Sequence, residues 1–222
     1  MPDRTALVTG GAGGLGRSVV DALLADGWRV VVPVQRTGSD PERDGLTTIT
    51  ADLTNPDDVA RTVRAATDGA PLKALVNLVG GFAADQPVAD TPLAEFELLF
   101  TRNLRPTYLM TQAVLPHLQG NGGGSIVCTG AAAALHPFAG AAGYTAAKAA
   151  VIAFAKAVAE EGRPHHVRCN VILPSLIDTP ANRAMMPEAE WHKLVPPERI
   201  ASVIAFLCGD ASSALNGAAL PV

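Results

Sequence analysis

The segment that most constrains this chain is Thr9-Gly10-Gly11-Ala12-Gly13-Gly14-Leu15-Gly16. It lies between a short apolar run, Ala6-Leu7-Val8, and a helix-period stretch over 15–26 with Val19, Leu23 and Leu24 on one face. A strand, then glycines, then a helix leaves unpaired N–H groups at the positive end of the helix dipole. The glycines remove the Cβ atoms that would hold an anion away from that backbone. The run contains both GxGxxG (Gly11, Gly13, Gly16) and TGxxxGxG (Thr9, Gly10, Gly14, Gly16). In this strand-to-helix context the pattern points to a dinucleotide pyrophosphate, with an ordinary glycine-rich turn as the alternative.

Along the rest of the chain, apolar runs of strand length alternate with helix-period segments, the pattern of a parallel sheet covered on both faces. Strands are expected over 28–34, 47–50, 74–79, 125–129, 167–173 and 218–222, and helices over 57–67, 91–118, 144–160 and 197–207. Pro33 has to lie near the end of its strand, because it cannot donate to a central ladder. Asn55-Pro56 signals a helix start, Thr91 reads as a cap, and Pro106 as a break just after Asn103. The expected fold is α/β: a Rossmann-type, doubly wound, mostly parallel seven-stranded sheet with helices on both faces, in one dinucleotide-binding domain over 1–222.

Composition agrees with that fold and excludes other classes. With 48% hydrophobic and 17% charged residues among 222, the chain can build a core and is not of disordered composition. Seventeen basic residues against 21 acidic ones give a net charge of −4. Neither a nucleic acid nor an anionic membrane is expected as partner, since both need a basic patch. No apolar run reaches the roughly 20 residues of a membrane span. Pro2-Asp3-Arg4-Thr5 leads straight into the first strand without a signal-peptide pattern. Cys128, Cys169 and Cys208 are far apart with no CxxC spacing. The expectation is a cytoplasmic protein with reduced, buried cysteines.

At the end of the second strand a nicotinamide dinucleotide site carries an acid for the ribose diol or a base for a 2′-phosphate. The residues here are Val34-Gln35-Arg36, with no acid. Arg36 favours NADP over NAD; the bland alternative is a solvated loop arginine.

Tyr144-Thr145-Ala146-Ala147-Lys148 opens a helix, so hydroxyl and ammonium lie on one face a turn apart. A phenol near pKa 10 exchanges protons poorly at neutral pH, and a neighbouring cation lowers it. Together with the glycine loop, this spacing resembles the short-chain dehydrogenase/reductase family over nearly the whole chain. Asp52-Leu53 is similar to that family's element holding the adenine ring. Asn77-Leu78-Val79-Gly80 resembles its Asn-Asn-Ala-Gly segment with the two middle positions changed. Asn103 falls where the family has its tetrad asparagine, and Pro174 to Thr179 resembles its Pro-Gly…Thr segment with Ser175 in place of glycine. The resemblance implies an NAD(P)-dependent oxidoreductase with Tyr144 as proton donor in reduction. Lys148 would bind the ribose hydroxyls and depress the tyrosine pKa, and Asn103 would hold a water leading to Lys148. Thr179 would meet the carboxamide end of the cofactor. The pyrophosphate would sit on Gly10, Gly11, Gly13, Gly14, Leu15 and Gly16, with Asn77 and Gly80 completing the cofactor site. It also implies a short substrate lid around 180–196, where Asn182, Arg183, Met185, Met186 and Trp191 lie, and a homodimer or homotetramer.

One position departs from the family. The serine that contacts the reacting carbonyl belongs thirteen residues before the tyrosine, and that residue is Ala131. Three readings follow: a reductase whose substrate needs no such contact, a dinucleotide-binding or sensing protein that has lost activity, or transfer of the role to Thr129 or a water. The quinonoid dihydropteridine reductase-like branch lacks this serine. Gly80-Gly81-Phe82, the stretch over 130–135 and the run over 173–191 resemble it, whereas Val34 stands where that branch carries an acid. A small C=N, quinonoid or carbonyl substrate is implied. No metal is expected, because His117, His136, His165, His166 and His192 show no ligand spacing. His136, in the segment approaching Tyr144, is a candidate substrate contact.

Overall fold

The computed structural model describes residues 2–36, 43–84 and 86–222. Seven strands form one sheet: β1 (Thr5–Thr9), β2 (Arg29–Val34), β3 (Leu46–Thr50), β4 (Leu72–Asn77), β5 (Gly124–Thr129), β6 (Val167–Leu173) and β7 (Ala219–Pro221). Their order is β3-β2-β1-β4-β5-β6-β7. Every pairing is parallel, including Val171 with Ala219 at the far edge, so the expected mostly parallel sheet is wholly parallel. Pro33 sits one residue from the end of β2, beyond the stretch that pairs with β1.

The helices are α1 (Gly14–Ala25), α2 (Pro56–Thr67), α3 (Leu93–Asn103), α4 (Arg105–Gly120), α5 (Ala142–Gly162), α6 (Pro180–Ala184) and α7 (Pro197–Cys208). Strand side chains alternate between two cores. Leu7, Leu75, Ile126 and Cys128 face the layer of α2, α4 and α5. Ala6, Val8, Val76 and Val127 face the layer of α1 and α7. Both faces being buried is why the central strands read as continuous apolar runs. Cys128, Cys169 and Cys208 are free and buried in these cores.

Two helix starts refine the sequence reading. The Asn55 side chain accepts from the Asp57 N–H, capping α2 as its Asn-Pro signal suggests. Thr91, by contrast, does not cap α3; its hydroxyl donates back to the Pro87 carbonyl at 2.9 Å, and the helix begins after Pro92. The long segment divides at Leu104, with Pro106 in the first turn of α4, where a missing N–H breaks no bond.

With the stretch that follows it to His165, α5 is long and apolar enough, by length and composition, to cross a membrane. In this fold its apolar residues have a different use: Ala147, Val151, Ala155 and Val158 are buried in the core. The glycine loop, the β4–α3 loop, the N-terminal turn of α5 and the segment after β6 all lie at the carboxyl ends of the strands. There the strand order reverses between β1 and β4, the place where such sheets hold ligands.

Candidate active site

The glycine loop is built for close approach. Gly10 has φ +69°, and its carbonyl accepts from the Gly13 N–H at 3.0 Å. A Cβ on Gly16 would run into the Gly10 carbonyl oxygen. Gly13 caps α1 without a side-chain bond, and the first turn carries no acid. That end therefore presents N–H groups and the positive pole of the dipole to an anion. Ala12, Gly13 and Gly14 are exposed, whereas Gly11, Leu15 and Gly16 are buried. These last three serve the packing of the helix; a Cβ on Gly11 would lie 2.8 Å from both methyls of Val32.

A cavity of about 1050 Å³ opens beside the loop. It runs from Gln35 and Arg36, past Asp52 and Leu53, to Gly80 and Gly81, with Gly10 and Gly13 on its wall. Arg36 is exposed. The Asp52 carboxylate shapes its own turn, Oδ1 accepting from the Thr54 N–H (2.9 Å) and hydroxyl (2.8 Å). Arg17 and Arg102 also line this cavity. Spacing does not single them out, although each directly adjoins a motif residue, Gly16 or Asn103.

Asn77 needs a correction. It is the last residue of β4 and only 2% exposed, and its Nδ2 donates to the Thr111 hydroxyl at 3.3 Å. Its side chain belongs to the core under α4, and the cavity beside the glycine loop is lined from Leu78 onward rather than by Asn77. The N–H groups of the next residues secure the strand ends, Leu78 donating to the Thr9 hydroxyl at 3.1 Å.

Tyr144 stands in the first turn of α5, and Lys148 follows one turn on. Lys148 is 4% exposed and donates from Nζ to the Thr129 carbonyl at 2.9 Å. Asn103, 1% exposed, accepts from the Gly81 N–H at 3.1 Å and donates to the Gly81 and Leu99 carbonyls, both at 2.9 Å. A Cβ built on Gly80 would lie 2.7 Å from Asn103 Oδ1 and 3.0 Å from Lys148 Nζ, so the two side chains meet at that glycine. Burial pushes Lys148 down to about 8, partly opposed by Cys128. The Tyr144 hydroxyl is raised by burial, the reverse of the depression expected from its lysine neighbour. Burial alone accounts for this direction.

A second cavity, about 390 Å³, adjoins Tyr144 and Lys148. Ala131 lines it and is buried, in extended conformation at φ −160°, with no group able to donate or accept from its side chain. Thr129 also borders it, and its hydroxyl is buried without a hydrogen-bond partner. His136, Asn182 and Met185 line the cavity. Arg183 instead pairs with Asp178 and lies 4.6 Å from the Trp191 ring centroid. Thr179 caps α6, accepting from the Asn182 N–H at 3.2 Å, and its methyl abuts Gly14. Thr179 thus links the glycine loop to the second cavity. Phe82 and Phe138 complete the lining; nothing in the spacing marks Phe138.

The short chain dehydrogenase family pattern matches residues 4–190. Acetoacetyl-CoA reductase of Allochromatium vinosum is 32% identical, over 99% of this chain and 96% of its own. The solved 3-ketoacyl-(acyl-carrier-protein) reductase from Brucella melitensis, complexed with NADH, is 28% identical with a TM-score of 0.86, covering 99% of this chain and 96% of its own. The structure of ElxO with NADP bound superposes with a TM-score of 0.92 over 99% of this chain and 97% of its own; at 22% identity the likeness is one of fold. With a pattern matching most of its length and a full-length relative at this identity, the chain belongs to the short chain dehydrogenase family of NAD(P)-dependent oxidoreductases.

Proposed function

We propose that this protein is an NAD(P)H-dependent reductase of a small C=N, quinonoid or carbonyl substrate, with Tyr144 as the proton donor. The observation that carries the reading is the meeting of Lys148 and Asn103 at Gly80, beside a cavity that Tyr144 lines. The dinucleotide supplies the hydride when bound. The backbone of Gly10, Gly13 and Gly14 and the N-terminus of α1 hold its pyrophosphate, with Gly11, Leu15 and Gly16 permitting the close packing beneath. Asp52 and Leu53 border the adenine, Lys148 takes the ribose hydroxyls, and Thr179 meets the carboxamide. Arg36 pairs with a 2′-phosphate, which makes NADP the preferred cofactor and NAD the alternative.

Tyr144 is protonated at neutral pH, as any phenol is, so it can give a proton to the reduced substrate; burial raises its pKa further and so weakens it as an acid until the cofactor and substrate fill the site. Asn103 holds the Gly80–Gly81 turn in place, and with it the wall facing Lys148. The segment over 180–196 acts as the lid of a single dinucleotide-binding domain spanning 1–222. The runs resembling the quinonoid dihydropteridine reductase-like branch support a C=N substrate, and the missing serine fits that branch. Relatives such as acetoacetyl-CoA reductase support a thioester instead.

Ala131 favours a second reading, a binder of dinucleotide without turnover. Loss of one oxyanion-type donor lowers rates by roughly 10²–10³ where the chemistry relied on it. The test is oxidation of NADPH and NADH against quinonoid dihydropterin, small quinones and small carbonyls, with Tyr144→Phe beside the wild type. Turnover that disappears in the variant is the expected result. Tight cofactor binding with no turnover on any substrate leaves the silent binder.

A further inference from the structure

The second cavity is defined by what its walls lack. Among the described residues lining it there is no Asp, Glu or Arg, and its one lysine is buried and tied to the Thr129 carbonyl. The arginine of the segment above, Arg183, has its charge engaged by Asp178 at 2.6 Å and its guanidinium over Trp191. Among the described residues, a phosphate drawn into this cavity would meet no free lysine or arginine; His136 is its one other basic side chain. The walls are apolar instead: Phe82 is 53% exposed, Phe138 51%, Leu176 48% and Met185 68%. Large apolar side chains left open around one concavity are the mark of a ligand surface.

Shape and donors point the same way. The Phe82 ring packs nearly perpendicular to Tyr144, at 83° with centroids 5.0 Å apart, so an aromatic wall is fixed beside the proton donor. At the usual serine position and just after it, Ala131, Ala132 and Ala133 offer a smooth lining with no side-chain hydrogen bond to give. An open-chain carbonyl needs two donors to fix its direction. A rigid ring held through its faces is oriented by contact area, and a single donor at its edge suffices. A cavity of about 390 Å³ is of the size for a ligand of two or three fused rings.

We infer that the site takes a flat, uncharged fused-ring ketone or quinone, gripped by Phe82 and Phe138 with Leu176 and Met185 at the mouth, and that it rejects coenzyme A thioesters. This rests on the reductase reading for the identity of the cavity, but its test does not depend on turnover. Binding of 9,10-phenanthrenequinone and of acetoacetyl-CoA is measured by calorimetry on Tyr144→Phe, with and without saturating NADP⁺. That variant keeps the ring that packs on Phe82 and removes the acid. The quinone binds, and acetoacetyl-CoA shows no binding up to about 1 mM. Phe82→Leu and Phe138→Leu, which retain apolar bulk, each weaken the quinone by about tenfold while leaving NADP⁺ affinity and melting temperature unchanged. A thioester that binds as tightly as the quinone overturns the inference. So does a quinone that fails to bind, or one whose affinity ignores both phenylalanines. Quinone bound through Phe82 and Phe138 without wild-type turnover sinks the reductase reading alone. Tyr144-dependent reduction of small carbonyls without quinone binding sinks this inference alone.

Discussion

Lys148 carries opposing demands at the scale of one residue. Its ammonium is buried, and moving it from an ordinary pKa of 10.5 to about 8 corresponds to roughly 3 kcal/mol of destabilisation at neutral pH. The folded pKa lies below the unfolded one, so between about 8 and 10.5 the unfolded chain holds the extra proton and stability rises with pH. Lys148→Met removes that cost but strands the Thr129 carbonyl. A net gain of about 1–2 kcal/mol is expected below pH 8, shrinking towards pH 10.5, together with loss of reductase activity. Chemical denaturation across that pH range checks it; a variant less stable than wild type at pH 7 contradicts it. Ala131→Ser restores a donor at a position facing the cavity, and kcat/KM for a small open-chain ketone should rise by at least about tenfold, while a fused-ring quinone gains little. Steady-state kinetics on the two substrates separates these outcomes. The pair Tyr144 and Lys148 was legible from its helical spacing only in company with the glycine loop, since a tyrosine and a lysine four apart are by themselves an ordinary surface pair. Asn77 was not: its segment matches the family pattern, but strand parity turns its side chain to the same face as Leu75, into the core. The direction of the Tyr144 shift was also out of reach, since it depends on burial that spacing does not report.

At the scale of elements, the division between α3 and α4 does the positioning. Helix α3 ends on Asn103, whose side chain is therefore directed at the Gly81 backbone rather than at solvent, and the Thr107 hydroxyl donates to the Asn103 carbonyl at 3.1 Å. Asn103→Ala leaves the Gly81 N–H and two carbonyls short of partners. The expected loss is about 2–4 kcal/mol, with a higher KM for cofactor, because the Gly80–Gly81 turn lines the larger cavity. Melting temperature and cofactor titration on the same sample measure both, and an unchanged cofactor affinity would show that the turn is held by other contacts. Pro106 made this break readable, because a proline belongs in a first turn. The start of α3 was not readable. Thr91 is a good capping residue by type, but its hydroxyl is already used in the turn over 87–91, a competition between two local hydrogen bonds that sequence cannot rank.

For the whole molecule, alternation of short apolar runs with helix-period segments was enough to read the sheet, its parallel pairing and the end where the loops gather. What alternation cannot report is how the outer surface is covered. Leu93 is 70% exposed, and Tyr108, at 45%, packs its ring edge-on against Phe154 of α5 with centroids 6.0 Å apart. An exposed ring on α4 beside a half-buried one on α5 is costly on an isolated chain and favourable between two copies, since a two-fold axis brings the same face of each together. We propose that this face pairs copies into a homodimer or homotetramer. Tyr108→Glu places a charge in that contact, where burial without a partner is strongly unfavourable. Sedimentation of the wild type as a dimer or tetramer, and of Tyr108→Glu as a smaller species with cofactor binding intact, is the expected result. Intact binding matters to the argument, because Tyr108 lines neither cavity and a variant that lost the cofactor would have lost its fold. A wild type that sediments as a monomer at micromolar concentration leaves those rings to some other contact and removes the assembly.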